Sequence, residues 1–213
     1  VRLVRETPVP RQRAAPDRPN VVVLLVDTLR ADAVGSHDGS ASLTPRLDAL
    51  AAEGLVFTQA VAQSSWTLES VSSLMTGRHP RAHGARGREA RTQGEAEWGV
   101  LGDDPVTWAE AAARAGITPI GVSGNPLVSR GTNLAQGFET FVELPWNPEG
   151  RNWPEAAAVN EAFLAWLRTH GGYRFVAYLH YMEPHDPYTP PEAPAAAARV
   201  RPAIARGWVR DAA

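Results

Sequence analysis

The sequence contains no cysteine among its 213 residues, so disulfides, thiolate zinc sites and thiol nucleophiles are all excluded. It also contains no lysine. All 21 basic residues are arginine, and no reaction step can use a lysine amine. Long apolar runs are missing as well, since the longest, at 21–26, is far shorter than the ~20 residues that a membrane-spanning helix needs. A net charge of -2 lacks the strongly basic balance of a nucleic-acid-binding protein, and no such partner is expected.

The chain is long enough for one or two domains with a buried core. Residues 1–19 are rich in arginine and proline and show no apolar period, so we expect them to form a flexible leader. The run VVVLLV at 21–26 is typical of a strand that is buried on both faces of a parallel sheet. Periodicity and turn residues predict the other strands at 55–62, 117–122 and 174–180, and helices at 44–54, 67–76, 104–116 and from Pro154 onward.

This alternation of strands and helices predicts an α/β fold with a mostly parallel sheet and helices on both of its faces. Residues 78–102 carry mainly Arg, His, Gly and Glu, and they are predicted to form a long loop of the kind that is often functional. Ligands of such sheets bind at the carboxyl ends of the strands. Polar residues at those ends are therefore the first candidates for a functional site.

Two candidates follow from their positions. Asp27 ends the most apolar strand, where a carboxylate is either a helix N-cap or a ligand of a hard metal ion. Thr67 stands at the start of a predicted helix, with Glu69 in the first turn. It either caps the helix or is a hydroxyl nucleophile at a helix N-terminus, where the N–H groups and the dipole stabilise an anionic ester. Position alone leaves both alternatives open.

Two further segments contain candidates. HYMEPHDPY at 180–188 is either a solvated turn or places His180 or His185 at the strand ends, as an anion ligand or general acid. The arginine-rich stretch 78–91 is either a solvated surface or a means of attracting an anionic substrate, for which the candidates are Arg86, Arg88 and Arg91.

Three blocks of the sequence together resemble the sulfatase family of the alkaline phosphatase superfamily. They are PNVVVLLVDTLRAD at 19–32, TPRLDALAAEGLVFTQAVAQSSWTLESVSSLMTGRHPRAHG at 44–84 and LHYMEPHDPY at 179–188. The resemblance implies an alkaline-phosphatase-like, mostly parallel sheet between helices, in three α/β/α layers. It also implies that residues 20–213 are the N-terminal part of a catalytic domain, ending before the family's second metal-binding block.

The resemblance assigns chemical roles to several residues. It implies that Asp27 binds the catalytic metal, with Thr28 where many members carry a second aspartate. The metal is expected to be divalent, Ca²⁺ first, with Mn²⁺ or Zn²⁺ as alternatives. The family's nucleophile stands ten residues before the glycine of a Thr-Gly pair, which here is Gly77, and this position is Thr67. Classical members have there a Cys or Ser, within C/S-x-P-x-R, that is oxidised to formylglycine. The sequence TLESV lacks that pattern, so no formylglycine is expected.

The resemblance also places the substrate. His185 matches the family's Pro-His-x-Pro position, which contacts ester oxygens, and Asn125 stands near a Lys and His position of the family. Asn125 and His180 are therefore expected to bind an anionic sulfate or phosphate ester. The implied function is metal-dependent hydrolysis of sulfuric esters, in a periplasmic or extracellular-facing location. The alternatives are a phosphodiester or phosphonate hydrolase, a phospho-group transferase, or an inactive fragment that binds anions.

Overall fold

The computed structural model describes residues 9–38, 44–88, 97–147 and 153–186. The strands are β1 (Val21–Val26), β2 (Gly87–Arg88), β3 (Glu97–Trp98), β4 (Thr118–Ser123), β5 (Thr140–Glu143) and β6 (Phe175–Tyr181). The helices are α1 (Gly35–Asp38), α2 (Pro45–Glu53), α3 (Thr67–Thr76), α4 (Pro80–His83), α5 (Trp108–Arg114) and α6 (Ala156–His170), and a 3₁₀ helix covers Ala31–Ala33. Within these ranges, no helix has the length and apolar character that crossing a membrane requires.

Four strands form one sheet in the order β1-β6-β4-β5. β4 runs parallel to both of its neighbours, and Ser123 at its end lies opposite His180 of β6 and Glu143 of β5. Parallel strands need crossover connections, and the long α6 lies in the connection from β5 to β6, which are on either side of β4. The expected α/β fold with a mostly parallel sheet is therefore confirmed.

Helices cover both faces of this sheet. On one face, α3 packs on Tyr178 of β6 through Leu68, Val71 and Met75. On the other face, α6 packs on β4 and β6 through Val159 and Trp166. The side chains of β6 alternate between the two clusters, as the two-residue period of a strand requires, so β6 lies at the centre of the core.

β1 is confirmed as a strand, but the prediction that it is buried on both faces is wrong. Val23 and Leu25 pack against the α3 cluster, whereas Val22 is 44% exposed and Leu24 is 50% exposed. β1 lies at an edge of the described sheet, and α6 covers β4 and β6 instead. An unbroken apolar run has no polar alternation, so it does not reveal which of its faces stays uncovered.

The helix predictions agree well with the structure. α3 begins and ends where the sequence predicts, because Gly77 adopts a φ of 66° and stops it. α5 begins at Trp108, later than predicted, because Thr107 and Glu110 form a capping box. The Thr107 hydroxyl accepts the Glu110 N–H at 3.1 Å, and the Glu110 carboxylate accepts the Thr107 N–H at 2.9 Å.

Three other predictions need correction. The strand predicted at 55–62 is wrong, since these residues form no strand and Leu55 and Val61 are 78% and 81% exposed. Apolar alternation produces a strand only where a neighbouring strand supplies hydrogen bonds and packing. The stretch 78–102 is not one long loop, because it contains α4 and the antiparallel β2–β3 ribbon. β5 was not predicted. The elements α4, β2, β3 and β5 are each too short to show a helical or strand period in the sequence.

Residues 9–19, the described part of the predicted leader, lie along the end of the sheet at which β4 and β6 begin. The N–H of Gln12 donates to the Gly116 carbonyl at 2.7 Å. Arg13 forms a backbone bridge with Tyr173, and its guanidinium lies 4.6 Å from the centre of that ring. Backbone hydrogen bonds and cation–π contacts leave no apolar period in a sequence, so composition gives no sign of them.

The chain divides into two compact units. Among the described residues, the first comprises 9–25 and those within 62–182, and it holds α3 to α6 with most of the sheet. The second comprises 26–38, 44–61 and 183–186 and holds α1 and α2. The candidate site residues are divided between the two units.

Candidate active site

In the first unit, the carboxyl ends of β4 and β6 lie side by side. Gly124, which follows β4, donates its N–H to the His180 carbonyl at 3.3 Å. A Cβ on Gly124 would lie 3.3 Å from that oxygen and 3.4 Å from Met182 Cγ, so a residue without a side chain suits this position. Two of the predicted substrate-binding residues, Asn125 and His180, therefore lie at the same end of the sheet, where the carboxyl ends of β4 and β6 meet.

Asn125 is buried and shapes the turn that follows β4. Its Oδ1 accepts the Leu127 N–H at 2.8 Å, and its own N–H donates to Ser123 Oγ at 3.1 Å. Its Nδ2 donates to the Met182 sulfur at 3.4 Å, which is a weak acceptor. Because the side-chain oxygen holds the turn, the group of Asn125 that can serve an ester oxygen is its amide NH₂, a donor.

His180 is fully buried on β6. Its Nδ1 lies 2.7 Å from the hydroxyl of Tyr178, two residues earlier on the same face of the strand. The two rings meet edge to face, with their centroids 5.8 Å apart. This hydrogen bond fixes the orientation of the imidazole at the carboxyl end of β6.

Thr67 is the first residue of α3, and the residue that caps this helix is Trp66. The Trp66 side chain makes no capping hydrogen bond, and Thr67 itself lies within the helix. The N–H groups of a first helical turn have no acceptor within the helix, and the dipole is positive there. The start of α3, where the half-buried Thr67 lies, therefore has the polarity that favours an anion.

A buried polar pair that the sequence did not reveal joins α3 to the segment after it. Ser73 Oγ and His83 Nε2 lie 3.0 Å apart, and His83 Nδ1 accepts the Ala85 N–H at 3.1 Å. Nε2 therefore carries the proton and donates it to the serine oxygen. Burial lowers the pKa of His83 and keeps the ring neutral, although nearby Glu69 opposes this shift. Because the imidazole donates to Ser73, it cannot act as the base that would make this serine a nucleophile.

Glu69 makes a second connection between α3 and the following segment. Its Oε1 accepts the Gly87 N–H at 3.0 Å, while its Oε2 is buried with no hydrogen-bond partner among the residues that the structure describes. Glu69 lies in the first turn of α3, two residues after Thr67. The loop that ends at Gly87 is thereby attached to the helical turn that carries the candidate nucleophile.

In the second unit, Asp27 and Thr28 follow β1. Asp27 is buried, with 9% of its surface exposed. Thr28 has a φ of 55°, in the left-handed region that a β-branched residue rarely adopts. Backbone strain of this kind costs about 1–3 kcal/mol and clusters at functional sites. The strained turn therefore gives a physical reason to assign a function to this end of β1.

The polar residues around this turn are well ordered by hydrogen bonds. Arg30 pairs with Asp32 at 2.6 Å, and this hydrogen bond lowers the pKa of the Asp32 carboxyl. The Ser36 N–H donates to Asp48 Oδ1 at 2.7 Å and so joins α1 to α2. Both carboxylates are engaged in these structural contacts.

The residues that the structure describes contain no group of three or more His, Asp or Glu side chains able to hold a metal ion. Asp27 supplies one carboxylate and Thr28 one hydroxyl, whereas a hard dication takes six or more oxygen ligands. These two side chains fit two positions of a coordination shell and do not complete one. No reaction step is therefore assigned to a metal.

His185 lies in the turn after β6, also in the second unit. Its Nδ1 lies 3.0 Å from the Asp186 carbonyl oxygen, and because a carbonyl only accepts, Nδ1 carries a proton. In the neutral ring Nε2 is then an acceptor, and it becomes a donor only in the imidazolium form. His185 can therefore donate to an ester oxygen only when it is protonated.

The structure brings some of the predicted residues together within one unit. Asn125 and His180 lie at the same end of the sheet. The helix α3, which begins at Thr67, packs on Tyr178, and Tyr178 is hydrogen-bonded to His180. Of the predicted arginines, Arg86 is exposed on the loop after α4. The Arg88 side chain and all of Arg91 lie outside the described residues.

A mostly parallel sheet between helices, with polar residues at the carboxyl ends of its strands, defines an α/β protein, and the solved structures that share this fold include one of the alkaline phosphatase superfamily. A solved protein of that superfamily from Vibrio parahaemolyticus has 25% sequence identity and a TM-score of 0.59, covering 83% of this chain and 43% of that one. The phosphonate monoester hydrolase of Agrobacterium radiobacter shows the same fold, with a TM-score of 0.61, 21% identity, and coverage of 82% and 43%.

The Sulfatase family model matches residues 19–206, and the chain belongs to the sulfatase family. Arylsulfatase A of Bos taurus is 32% identical over 139 residues, which are 63% of this chain and 27% of that protein. The chain thus matches about a quarter of the length of this relative. The resemblance inferred from the three sequence blocks is confirmed.

Proposed function

We propose that the chain carries the nucleophile-bearing part of a sulfuric ester hydrolase and that Thr67 is the nucleophile. The observation that carries this proposal is the place of Thr67, which opens α3 directly after the capping residue Trp66. It stands ten residues before Gly77, which is the spacing that the resemblance to the sulfatase family implies for the nucleophile. The attacking oxygen and the positive end of the helix then act on the same anionic ester.

In the proposed reaction, the Thr67 oxygen attacks the sulfur in line with the leaving oxygen, and the S–O bond to that oxygen breaks. The proton that the Thr67 hydroxyl loses balances the one that the leaving oxygen gains as it departs as an alcohol. Water then hydrolyses the sulfate ester formed on Thr67. Asn125, His180 and the protonated His185 are the proposed donors to the ester oxygens, where negative charge develops. A donor that hydrogen bonds already hold in place stabilises this charge more strongly, because it does not have to reorient during the reaction.

Sulfatases generally use a divalent metal. We propose that Asp27 supplies one ligand, with Thr28 beside it, and that the metal is Ca²⁺, with Mn²⁺ and Zn²⁺ as alternatives. A bound dication stabilises negative charge on the ester oxygens. The family also supports the proposal of a periplasmic or extracellular-facing location.

A second candidate is hydrolysis of a phosphodiester or phosphonate, or transfer of a phospho group. The specific observation in its favour is the sequence around Thr67, where Glu69 and Val71 stand in place of the proline and arginine of the formylglycine pattern. The fold is shared with a phosphonate monoester hydrolase and does not choose between sulfur and phosphorus. An anion-binding fragment without turnover is the third candidate.

The proposal is tested by measuring hydrolysis of matched aryl sulfate, phosphate diester and phosphonate esters by the chain with Ca²⁺, Mn²⁺ or Zn²⁺. Thr67→Ala is expected to lower kcat about a thousandfold or more. Thr76→Ala is the matched control, because its hydroxyl bonds to the Ser72 carbonyl at 2.7 Å at the other end of the same helix. A Thr67→Ala variant as active as the wild type would exclude this nucleophile.

The fastest ester distinguishes sulfatase from phospho-ester chemistry. Mass spectrometry of the quenched reaction should detect a sulfo or phospho group on the peptide that contains Thr67 and on no peptide of Thr67→Ala. Anion binding with no turnover of any ester would establish the third candidate.

A further inference from the structure

Two tryptophans, Trp146 and Trp153, stack on each other between β5 and α6. Their ring centroids are 5.2 Å apart and their planes meet at 16°. The stack covers one face of each indole, yet 40% of the Trp146 surface stays exposed. A large aromatic side chain that is held in one plane and still reaches the surface offers a ready contact for a ligand.

Trp146 lies near the carboxyl end of β4. After β5 ends at Glu143, the N–H of Leu144 donates to the Ser123 carbonyl at 2.9 Å, and Ser123 is the last residue of β4. Trp146 follows Leu144 by two residues, which span at most about 7 Å. The exposed indole therefore stands at the end of the sheet where ligands of parallel sheets bind.

Trp153 reaches the same end of the sheet by a separate contact. It precedes Pro154, which is buried. A Cβ on Gly124 would lie 3.6 Å from Pro154 Cγ, so Pro154 packs against the turn that carries Asn125. The stack is thus attached to the carboxyl end of β4 through both of its tryptophans.

The size and chemistry of this surface indicate what it fits. A whole tryptophan side chain buries at most about 250 Å², whereas a protein partner typically covers about 800 Å². An indole face is apolar and slightly negative, so it packs well against the C–H face of a sugar ring or against an offset aromatic ring. A rigid ring also loses less conformational freedom on binding than an acyclic chain of the same size.

We propose that Trp146, oriented by Trp153, binds a flat, uncharged six-membered ring, which is either a sugar ring or an aryl ring. The two kinds of ring share one feature, a flat face that covers an indole. This site goes beyond the proposed function, because it requires neither an anionic ester group nor Thr67.

The experiment titrates the chain with uncharged probes and follows the indole N–H signals by NMR. Loss of a signal in Trp146→Phe and in Trp153→Phe assigns the two tryptophans. Methyl β-glucoside and coumarin are the two ring probes, and sorbitol and hexanol are their acyclic counterparts. At least one ring probe should shift the signals of Trp146 and Trp153 more strongly than its acyclic counterpart, and the ring that binds more tightly identifies the source.

Variants then test the role of the exposed indole. Trp146→Ala should weaken binding of that ring about tenfold, while Trp146→Phe, which keeps an aromatic face, should stay within about threefold of the wild type. Trp66→Ala is the matched control, since it removes another indole, 61% exposed, at the start of α3, and it should change binding less than twofold.

Three results would overturn the inference. One is that neither ring moves the signals of Trp146 and Trp153, and another is that each acyclic probe binds as tightly as its ring counterpart. The third is an equal loss of binding in Trp146→Ala and Trp66→Ala. Because no ester is cleaved here, ring binding without ester hydrolysis in the earlier assay would keep the inference and overturn the proposed function, and the opposite pair of results would do the reverse.

Discussion

Replacing His83 tests how strongly the segment after α3 depends on one buried imidazole. In His83→Ala, the Ser73 hydroxyl and the Ala85 N–H both lose their partner in a buried place. Each buried group left without a hydrogen bond costs about 1–3 kcal/mol, so we expect the free energy of unfolding to fall by about 2–6 kcal/mol. For a domain of ordinary stability, this is a large fraction of the total.

The same residue should make stability depend on pH. Burial lowers the pKa of His83 below its ordinary value of 6.5, so the unfolded chain binds this proton more readily than the folded one. The contribution of His83 is therefore full above about pH 6.5 and is lost as the pH falls through this value toward the lowered pKa. His83→Gln cannot titrate and should flatten this part of the stability curve.

Denaturant unfolding followed by tryptophan fluorescence at about pH 5.5 and 7.5 measures both effects. His79→Ala is the control, because His79 is an exposed neighbour and surface changes of this kind stay within about 0.5 kcal/mol. The reasoning is refuted if His83→Ala costs no more than His79→Ala, or if His83→Gln keeps the pH dependence of the wild type.

Two backbone positions give further predictions. Gly137 has a φ of 85°, and a Cβ there would lie 2.4 Å from the Glu110 nitrogen, so Gly137→Ala should lower stability by about 2 kcal/mol or more in thermal unfolding. Gly102→Ala, with no atom within 4 Å of the added carbon, should change the midpoint little, and equal losses in both variants would contradict this account. Thr28→Gly should raise stability by about 1 kcal/mol, because glycine adopts the left-handed conformation without strain. Thr28→Val should not raise it, and equal thermal unfolding midpoints for the two variants would show that this turn is unstrained.

Local signals in the sequence predicted the elements that have clear ends. The helix from Thr67 to Thr76 could be located because apolar residues recur at helical spacing and Gly77 can adopt the left-handed conformation that ends it. The strand at 21–26 could be recognised from its β-branched residues, yet its exposed face depends on which helix packs where. The apolar alternation at 55–62 predicted a strand that does not form, because strand formation also needs a partner strand.

The candidate site was predictable in its positions and not in its contacts. Thr67, Asn125 and His180 follow from strand and helix ends and from the family resemblance. The pair of Ser73 and His83 is invisible in the sequence, because ten residues separate them and they meet only when the chain turns back at Gly77. Which ring nitrogen of His185 carries the proton in the neutral form likewise depends on one carbonyl that only the folded turn brings to Nδ1.

The segment 9–19 has a consequence for how the chain folds. Gln12 is hydrogen-bonded to Arg174, its partner 162 residues further along the chain, through both backbone and side chain. Such pairing adds contacts of long sequence separation, and these form only after a large loop has closed. We therefore expect this segment to become ordered late in folding, after β4 and β6 have paired and formed the end of the sheet to which it is hydrogen-bonded. Stopped-flow refolding should then be slowed little by changes at Gln12, which would act mainly by speeding unfolding.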